Sequence, residues 1–212
     1  MTSVFLYYPN LVGYARILSG IAAFSVALAP ERYMTFLVLY FLSYALDAVD
    51  GPLARRMNQC SKLGAVLDMV TDRFCTMALL CVLSHLYPNQ AFGFMLLMIL
   101  DIVSHWFQMY SSLLVGATTH KTQKAQGVNA ILAWYYRFPI LFLVCLGNEG
   151  YLFALYALKF TVGPWIGAFG LFQLLSTICF PVFVVKQVIS VIQLLDAAST
   201  IADHDMAHRK RQ

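Results

Sequence analysis

The sequence predicts an all-α integral membrane bundle of six transmembrane helices, with the N- and C-termini on the cytosolic side. Hydrophobic residues make up 60% of the 212 residues and charged residues only 11%, whereas about a quarter of the residues in a soluble domain are charged. Six apolar runs are each long enough to cross a bilayer, which takes about 20 residues of helix. The length is that of one domain, covering residues 1–212.

The six runs follow one another with mostly short polar connections. They cover residues 11–29, 33–54, 62–86, 91–115, 131–158 and 165–195. Residues 1–10 are expected to lie at the membrane interface, where aromatic side chains such as Phe5 and Tyr7 are enriched. The longest connection is 116–129, and the charged residues 203–212 are expected to form a flexible tail.

Basic residues predict the orientation of the bundle, because Lys and Arg are enriched on the cytoplasmic side of membrane proteins. When the six runs are threaded through a bilayer, only Arg32 and Lys159 lie toward the face opposite the termini. Twelve basic residues lie in, or nearer to, the face that carries the termini: Arg16, Arg55, Arg56, Lys62, Arg73, Lys121, Lys124, Arg137, Lys186, Arg209, Lys210 and Arg211.

Four of the ten acidic residues lie close together, near the end of the second run and the start of the third. Asp47 and Asp50 are three residues apart, and Asp68 and Asp72 are four apart, so each pair lies on one face of its helix. Ionisable side chains at membrane depth are costly and mark functional sites. The two helices can therefore face each other with four carboxylates between them.

The chemistry of these carboxylates predicts a divalent metal centre. Four close carboxylates cannot all stay ionised unless cations offset their repulsion or some of them are protonated. The set contains no His or Cys, and oxygen ligands favour Mg²⁺ or Mn²⁺ over zinc or copper. Four ligands from two helices suit a two-metal centre for phosphoryl transfer. The alternative, a network that only ties the helices together, needs intramembrane bases, and Arg55 is the only base on this stripe.

Gly51 and Arg55 extend the first acidic pair toward a ligand. Gly costs roughly 1 kcal/mol in a helix relative to Ala, which is explained if a ligand lies against the backbone at Gly51. Arg55, one turn further on, is placed to hold a phosphate.

Two features are irregular. Pro52 either kinks its helix and frees the carbonyl of Ala48 or simply ends the helix, and Glu149 is expected to mark a break in the fifth run.

The whole acidic stretch resembles the signature of the CDP-alcohol phosphotransferases, integral membrane enzymes of phospholipid synthesis. The signature reads Asp-x₂-Asp-Gly-x₂-Ala-Arg-x₈-Gly-x₃-Asp-x₃-Asp. All of its fixed positions are matched, by Asp47, Asp50, Gly51, Ala54, Arg55, Gly64, Asp68 and Asp72. The segment from Pro9 to Arg16 is similar to the family's N-terminal motif. Later residues resemble the eukaryotic branch whose acceptor is inositol: Asp101, Ser104, His105, Trp106, His120, Lys121, Asn129, Tyr135 and Tyr136.

The resemblance implies transfer of the phosphatidyl group from CDP-diacylglycerol to an alcohol, expected to be myo-inositol, with release of CMP. The four aspartates would hold two divalent ions, Mg²⁺ or Mn²⁺, on the pyrophosphate. The last of them, Asp72, would also be the base that takes the proton of the alcohol. The lipid tails would enter between the helices from the bilayer.

Four further residues are implied as contacts of the CDP-diacylglycerol head group. Gly51, Arg55 and Ser61 occupy positions that touch it in the family. Asn10 is implied to lie near the nucleotide, although a role as the N-cap of the first helix would explain this residue equally well.

Polar residues of the fourth run recur at helical spacing and have two interpretations. Side chains such as Asp101, His105 and Gln108 should face the bundle interior or a water-filled cavity. They either bind the hydroxyls of the acceptor or join helices through hydrogen bonds. The resemblance favours the first interpretation, with His105 and Gln108 as acceptor contacts, and Lys121 and Arg137 at the mouth of the site are second candidates.

Two other functions stay open on the sequence. One is the same chemistry with glycerol 3-phosphate, serine, choline or ethanolamine as the acceptor. The other is a cation channel or transporter, although this would spread carboxylates through the membrane depth instead of gathering them at one face. The orientation predicted from the basic residues places the active site on the cytosolic side. The resemblance implies the endoplasmic reticulum as the location and membrane lipids as partners, and no nucleic-acid partner is expected. A homodimer is a further expectation.

Overall fold

The structure, a computed structural model, describes residues 3–114 and 130–209 and is helical almost throughout. The helices are α1 Tyr8–Val26, α2 Tyr33–Arg56, α3 Lys62–Leu86, α4 Ala91–Leu114, α5 Ala130–Tyr135, α6 Ile140–Leu158 and α7 Leu171–Arg209. Single 3₁₀ turns at Val4–Leu6, Pro30–Arg32 and Pro88–Gln90 precede α1, α2 and α4. The predicted all-α class is confirmed.

Four helical segments of the described chain are long and apolar enough to cross a membrane. They are Pro30–Arg56, Pro88–Leu114, Ile140–Leu158 and Leu171–Ala207. Helices α1 and α3 are not among these four, and both carry charged side chains of the site described below. The observed helices thus account for four of the six predicted spans by length and composition.

Many large apolar side chains are exposed on the outside of the bundle, and several polar side chains are buried within it. Leu18 and Phe41 are 68% and 63% exposed, as expected for side chains in contact with lipid and not with water. Polar side chains turn to the interior, where they find partners. The buried polar residues include Asn10, Arg16, Asp101, Gln108, Asn148 and Lys186.

An apolar core joins α1, α2, α3, α4, α6 and α7 and sets their register. Its buried members include Ala23 of α1, Phe36 of α2, Leu79 of α3 and Tyr156 of α6. Helix α3 lies at the centre of the bundle and packs against α1, α4 and α6, while α7 packs against α4 and α6. Arg16, the four aspartates and Glu149 lie two to four turns from these core members, roughly 10–21 Å along each axis. They therefore meet at one level of the bundle.

The fifth apolar run is not one helix. It divides into α5 and α6 at residues 136–139. Pro139 has no amide hydrogen to donate and disfavours helical conformation at Phe138, and the peptide bond between them is cis. The expected break at Glu149 is wrong, because Glu149 lies inside the continuous helix α6.

The sixth apolar run begins as a β-hairpin. Strands Trp165–Ile166 (β1) and Phe169–Gly170 (β2) pair in antiparallel register. Gly167 has a positive φ of 63° in the turn, a conformation that glycine adopts without a steric penalty. Helix α7 starts after the hairpin and continues to Arg209, so the described part of the predicted tail, residues 203–209, is helical.

Candidate active site

The carboxylates of α2 and α3 meet around one guanidinium group, that of Arg16 on α1. Its Nη2 lies 2.5 Å from Asp47 Oδ1 and 2.7 Å from Asp72 Oδ1. Its Nη1 lies 2.7 Å from Asp50 Oδ2 and 2.8 Å from Asp68 Oδ1. The two acidic pairs therefore converge on facing helices, as their spacing predicts, and α1 supplies a positive charge between them.

Arg16 is not among the site residues that the sequence predicts. Arg55 is the only base on the predicted stripe itself, but Arg16 reaches the carboxylates from a third helix. The signal was present, since an arginine in the middle of an apolar run is itself an ionisable residue at membrane depth. Its side chain is only 3% exposed, and its backbone carbonyl accepts a hydrogen bond from Ser43 Oγ at 3.0 Å.

The cluster has ligands and excess negative charge that suit divalent ions. One oxygen from each of Asp47, Asp50 and Asp68 lies within 4.8 Å of the others, close to the spacing of ligands around an ion at about 2.1 Å from each. Arg16 and, at 4.0 Å from Asp72 Oδ2, Arg73 offset at most two of the four negative charges, and each carboxylate has a second oxygen. The side chains of Asp68 and Asp72 are 48% and 38% exposed, so ions can reach the cluster.

Gly51 and Arg55 lie side by side at the end of α2. A methyl group added at Gly51 would lie 3.5 Å from Arg55 Nη1, an ordinary contact distance, so packing alone does not require glycine here. Arg55 is exposed and available to a ligand. Helix α2 continues through Pro52 to Arg56, and Pro52 has no amide hydrogen for the carbonyl of Ala48.

Ser61, Gly64 and Asn10 meet at the first turn of α3. Ser61 is the N-cap of α3, and its hydroxyl accepts a hydrogen bond from the amide of Gly64 at 2.9 Å. A methyl group at Gly64 would lie 2.8 Å from the side-chain oxygen of Asn10, so glycine permits this close approach of α1 and α3. The N-cap role considered for Asn10 is wrong, because Tyr7 holds that position. The side-chain amide of Asn10 instead donates a hydrogen bond to the backbone carbonyl of Val4.

A cavity of about 300 Å³ lies beside the carboxylates. Asp47 and Asp72 border it, whereas Asp50 and Asp68 do not. Glu149 of α6 is also on its wall. The carboxylate of Glu149 accepts hydrogen bonds from the hydroxyls of Tyr40 at 2.8 Å and Thr76 at 2.7 Å. Glu149, which the sequence suggested as a helix break, is therefore part of the polar interior next to the carboxylate cluster.

The predicted acceptor residues of α4 lie behind this cavity. Arg73 borders the cavity, and its Nη1 lies 2.5 Å from Asp101 Oδ1. His105 contacts the backbone carbonyl of Asp101 through Nδ1 at 2.7 Å. Gln108 is buried at the next turn of the same helix, and neither His105 nor Gln108 borders the cavity.

The structure describes only one of the other two predicted acceptor residues. Arg137 is exposed in the break between α5 and α6, and its neighbours Tyr136 and Phe138 both border the cavity. Lys121 lies outside the described residues, as does the rest of the 116–129 connection.

The chain is similar to proteins of one family along nearly its whole length. The family model described as CDP-alcohol phosphatidyltransferase matches residues 6–201. The CDP-diacylglycerol–inositol 3-phosphatidyltransferase of Mus musculus is 41% identical over 210 residues, which are 99% of this chain and 98% of that protein. The human protein of the same name is 40% identical over 210 residues, with the same coverage. The Saccharomyces cerevisiae protein of that name is 42% identical over 207 residues, 95% of this chain and 89% of the relative. No solved structure matches this chain significantly.

Replacing Arg16 with Gln should destabilise the protein in chelator and increase its response to Mg²⁺. Breaking a buried ion pair by removing one partner costs about 3–5 kcal/mol, and the lower end is expected here because the carboxylates are partly exposed. Divalent ions would then supply the missing positive charge. Mg²⁺ should therefore raise the melting temperature of Arg16→Gln in detergent more than that of the parent.

The control for this prediction is Arg56→Gln, which removes an exposed arginine and should behave as the parent. An equal Mg²⁺ response in Arg16→Gln and the parent would mean that Arg16 and the ions do not share the carboxylates.

Proposed function

This chain belongs to the CDP-alcohol phosphatidyltransferase family, and we propose that it transfers the phosphatidyl group of CDP-diacylglycerol to myo-inositol, giving phosphatidylinositol and CMP. The observation that carries the proposal is its similarity, over 99% of its length, to a mouse protein named for that reaction. The carboxylate cluster and the adjoining cavity, which has charged residues on its wall, support it independently, since they would supply metal ligands and room for an acceptor.

The aspartate cluster supports metal-dependent catalysis. Asp47, Asp50 and Asp68, with Asp72 as a fourth ligand, would hold two divalent ions, Mg²⁺ or Mn²⁺. Such ions neutralise the pyrophosphate and stabilise the charge of the leaving CMP. Arg16 contributes a fixed positive charge on the buried side of the cluster, and this charge orients all four carboxylates before substrate binds.

Asp72 is the proposed catalytic base. Of the four aspartates, it is the one that borders the cavity and lies outside the group of three closely spaced carboxylates. The acceptor hydroxyl would give its proton to Asp72 while its oxygen forms a bond to the phosphorus next to diacylglycerol. The bond from that phosphorus to the bridging oxygen breaks, and CMP leaves with the bridging oxygen. A general base of this kind is needed because a free alcohol is a weak nucleophile.

Gly51, Arg55, Ser61 and Asn10 are the proposed contacts of the CDP-diacylglycerol head group. Gly51 and Arg55 end α2, and the other two meet at the start of α3, so both pairs flank the carboxylates on the same side. The backbone amide of Tyr8 donates to the side chain of Gln59 at 2.9 Å, which ties the start of α1 to the connection between these pairs. The exposed guanidinium of Arg55 supports a contact with phosphate.

The remaining acceptor residues are proposed in two roles. His105 supports the cavity wall from behind, because it contacts Asp101, which in turn pairs with Arg73. Gln108 extends that support at the next turn of α4. Contacts of Arg137 and Lys121 with the acceptor stay predictions.

We propose six membrane crossings, with α1 and α3 added to the four apolar segments and the termini and the active site facing the cytosol. Arg16, Arg73 and Lys186 turn into the polar interior, so they do not bear on orientation. The other nine basic residues of the predicted cytosolic face still outnumber Arg32 and Lys159. The eukaryotic relatives support the endoplasmic reticulum as the location, and a homodimer stays a prediction.

The reaction is tested with purified protein in detergent, CDP-diacylglycerol, Mg²⁺ or Mn²⁺, and a panel of labelled acceptors. Phosphatidylinositol should form from myo-inositol, and excess chelator should abolish its formation until divalent ions are restored. Glycerol 3-phosphate, serine, choline and ethanolamine should give little product. Product from one of these acceptors and none from inositol would refute the acceptor, and full activity in chelator would refute metal dependence.

Replacing Asp72 with Asn should separate chemistry from metal binding. Loss of a general base lowers turnover by about 10²- to 10⁴-fold, whereas the three closely spaced carboxylates are retained. The Mn²⁺-dependent rise in melting temperature should therefore change less in Asp72→Asn than in the matched variant Asp50→Asn. Near-parental turnover of Asp72→Asn would assign proton removal to another group.

A further inference from the structure

The cavity beside the carboxylate cluster is bordered by a buried cation that the proposed chemistry does not use. Lys186 of α7 is 4% exposed and borders the cavity. Its ammonium donates one hydrogen bond, to the hydroxyl of Ser190 at 2.7 Å, and forms no ion pair with a described residue. An ammonium carries three donors, so two have no partner among the described residues. A buried charge without partners is costly, so oxygen atoms of a ligand in the cavity would stabilise the charged form of Lys186.

Glu149 is an anion on the wall of the same cavity, and the hydrogen bonds that its carboxylate accepts from described residues all come from neutral groups. They are the hydroxyls of Tyr40 and Thr76 and, at 3.3 Å, the amide of Asn148. Lys186 and Glu149 are opposite charges that border one cavity and do not form an ion pair. A ligand with both hydrogen-bond donors and acceptors, such as a polyol, can contact both at once.

The charges around the cavity favour a neutral ligand. Among the described residues, its bordering cations are Arg16, Arg73 and Lys186, and its bordering anions are Asp47, Asp72 and Glu149. Arg16 and the two aspartates belong to the carboxylate cluster, and Arg73 pairs with Asp101. Lys186 and Glu149 are thus left as one charge of each sign for a ligand, without an excess of bases for a phosphate or of acids for an amine. The volume, about 300 Å³, is at the lower end of the range for small-molecule pockets, which suits a single sugar-sized ring.

The orientation of the wall is fixed by hydrogen bonds that extend away from the cavity. The side-chain oxygen of Asn148, next to Glu149, accepts a hydrogen bond from the side-chain amide of Gln187 at 3.0 Å. Gln187 follows Lys186 on α7, so the two charged residues are held on helices that are linked side chain to side chain. Such preorganisation favours strong discrimination between ligands, because a wrong ligand leaves buried polar groups unpaired.

We propose that this cavity is the acceptor subsite, and that Lys186 and Glu149 select a neutral polyol by contacting its hydroxyls. The inference rests on the proposed phosphatidyl transfer, and it names the residues that recognise the acceptor. The reacting hydroxyl faces Asp72, and hydroxyls on the other side of the ring accept from Lys186 and donate to Glu149. These residues belong to α6 and α7, and not to the helix whose polar stripe first indicates an acceptor site.

The test compares Lys186→Met and Glu149→Gln with the matched variants Lys159→Met and Glu31→Gln. Both control positions are exposed and lie away from the cavity. Loss of a hydrogen bond to a charged group should raise the apparent KM for myo-inositol by about 10- to 100-fold. The KM for CDP-diacylglycerol should change by less than about twofold, and both controls should match the parent.

A second readout does not depend on turnover. Saturating myo-inositol should raise the melting temperature of the parent and controls in detergent, and this shift should be lost in Lys186→Met and Glu149→Gln. The shift caused by CDP-diacylglycerol should persist in both, which shows that they are folded. Glu149→Gln keeps the side-chain length and an oxygen for Tyr40 and Thr76, so it carries the test if Lys186→Met does not fold.

The outcomes separate this inference from the proposed function. A parent protein that makes no phosphatidylinositol refutes the proposed reaction itself. A parent that makes it, with variants that keep the parental inositol KM and inositol-induced shift, overturns the subsite. Equal increases in KM for inositol and CDP-diacylglycerol also overturn it, because they indicate general damage to the active site.

Discussion

Four carboxylates in an apolar helix bundle repel one another, and the contact of all four with Arg16 is the interaction on which the site depends. It requires three helices to meet at one level. The apolar core two to four turns away sets this level, and the glycine at position 64 lets α1 approach the first turn of α3. Arg16, even with Arg73 at 4.0 Å from Asp72, supplies too little positive charge to balance four carboxylates, so the cluster retains an attraction for cations. The same charges therefore affect both the stability of the helix bundle and the function of the site.

The polar interior continues from this cluster across the bundle. Asp72 belongs to the carboxylates and borders the cavity, Glu149 and Lys186 border the cavity from α6 and α7, and Arg73 joins it to Asp101 on α4. A substrate with lipid tails can approach from the bilayer on one side of the carboxylates while a water-soluble acceptor occupies the other. Because the two sides share Asp72, the attacking hydroxyl and the phosphorus can meet beside the metal ligands.

Local spacing was sufficient to predict the helices and the acidic cluster, because Asp47 and Asp50 or Asp68 and Asp72 share a helix face whatever surrounds them. The contacts between distant segments were not predictable in this way. Arg16 lies 34 positions from Asp50, and no periodicity relates them. Glu149 illustrates the same limit: beside two glycines it suggests a helix break, but hydrogen bonds from Tyr40 and Thr76 keep it inside α6. The actual break follows from Pro139, whose backbone restriction acts locally and could have been used.

The most direct test of a divalent metal centre on α2 and α3 is anomalous X-ray diffraction from crystals of the protein grown with Mn²⁺. The account predicts manganese peaks at about 2.1 Å from carboxylate oxygens of Asp47, Asp50 and Asp68. Asp72 would lie beside them, facing the cavity. Absence of manganese from the cluster at saturating Mn²⁺, with Arg16 still in contact with all four aspartates, would contradict it. The carboxylates would then be a structural network held by an intramembrane arginine.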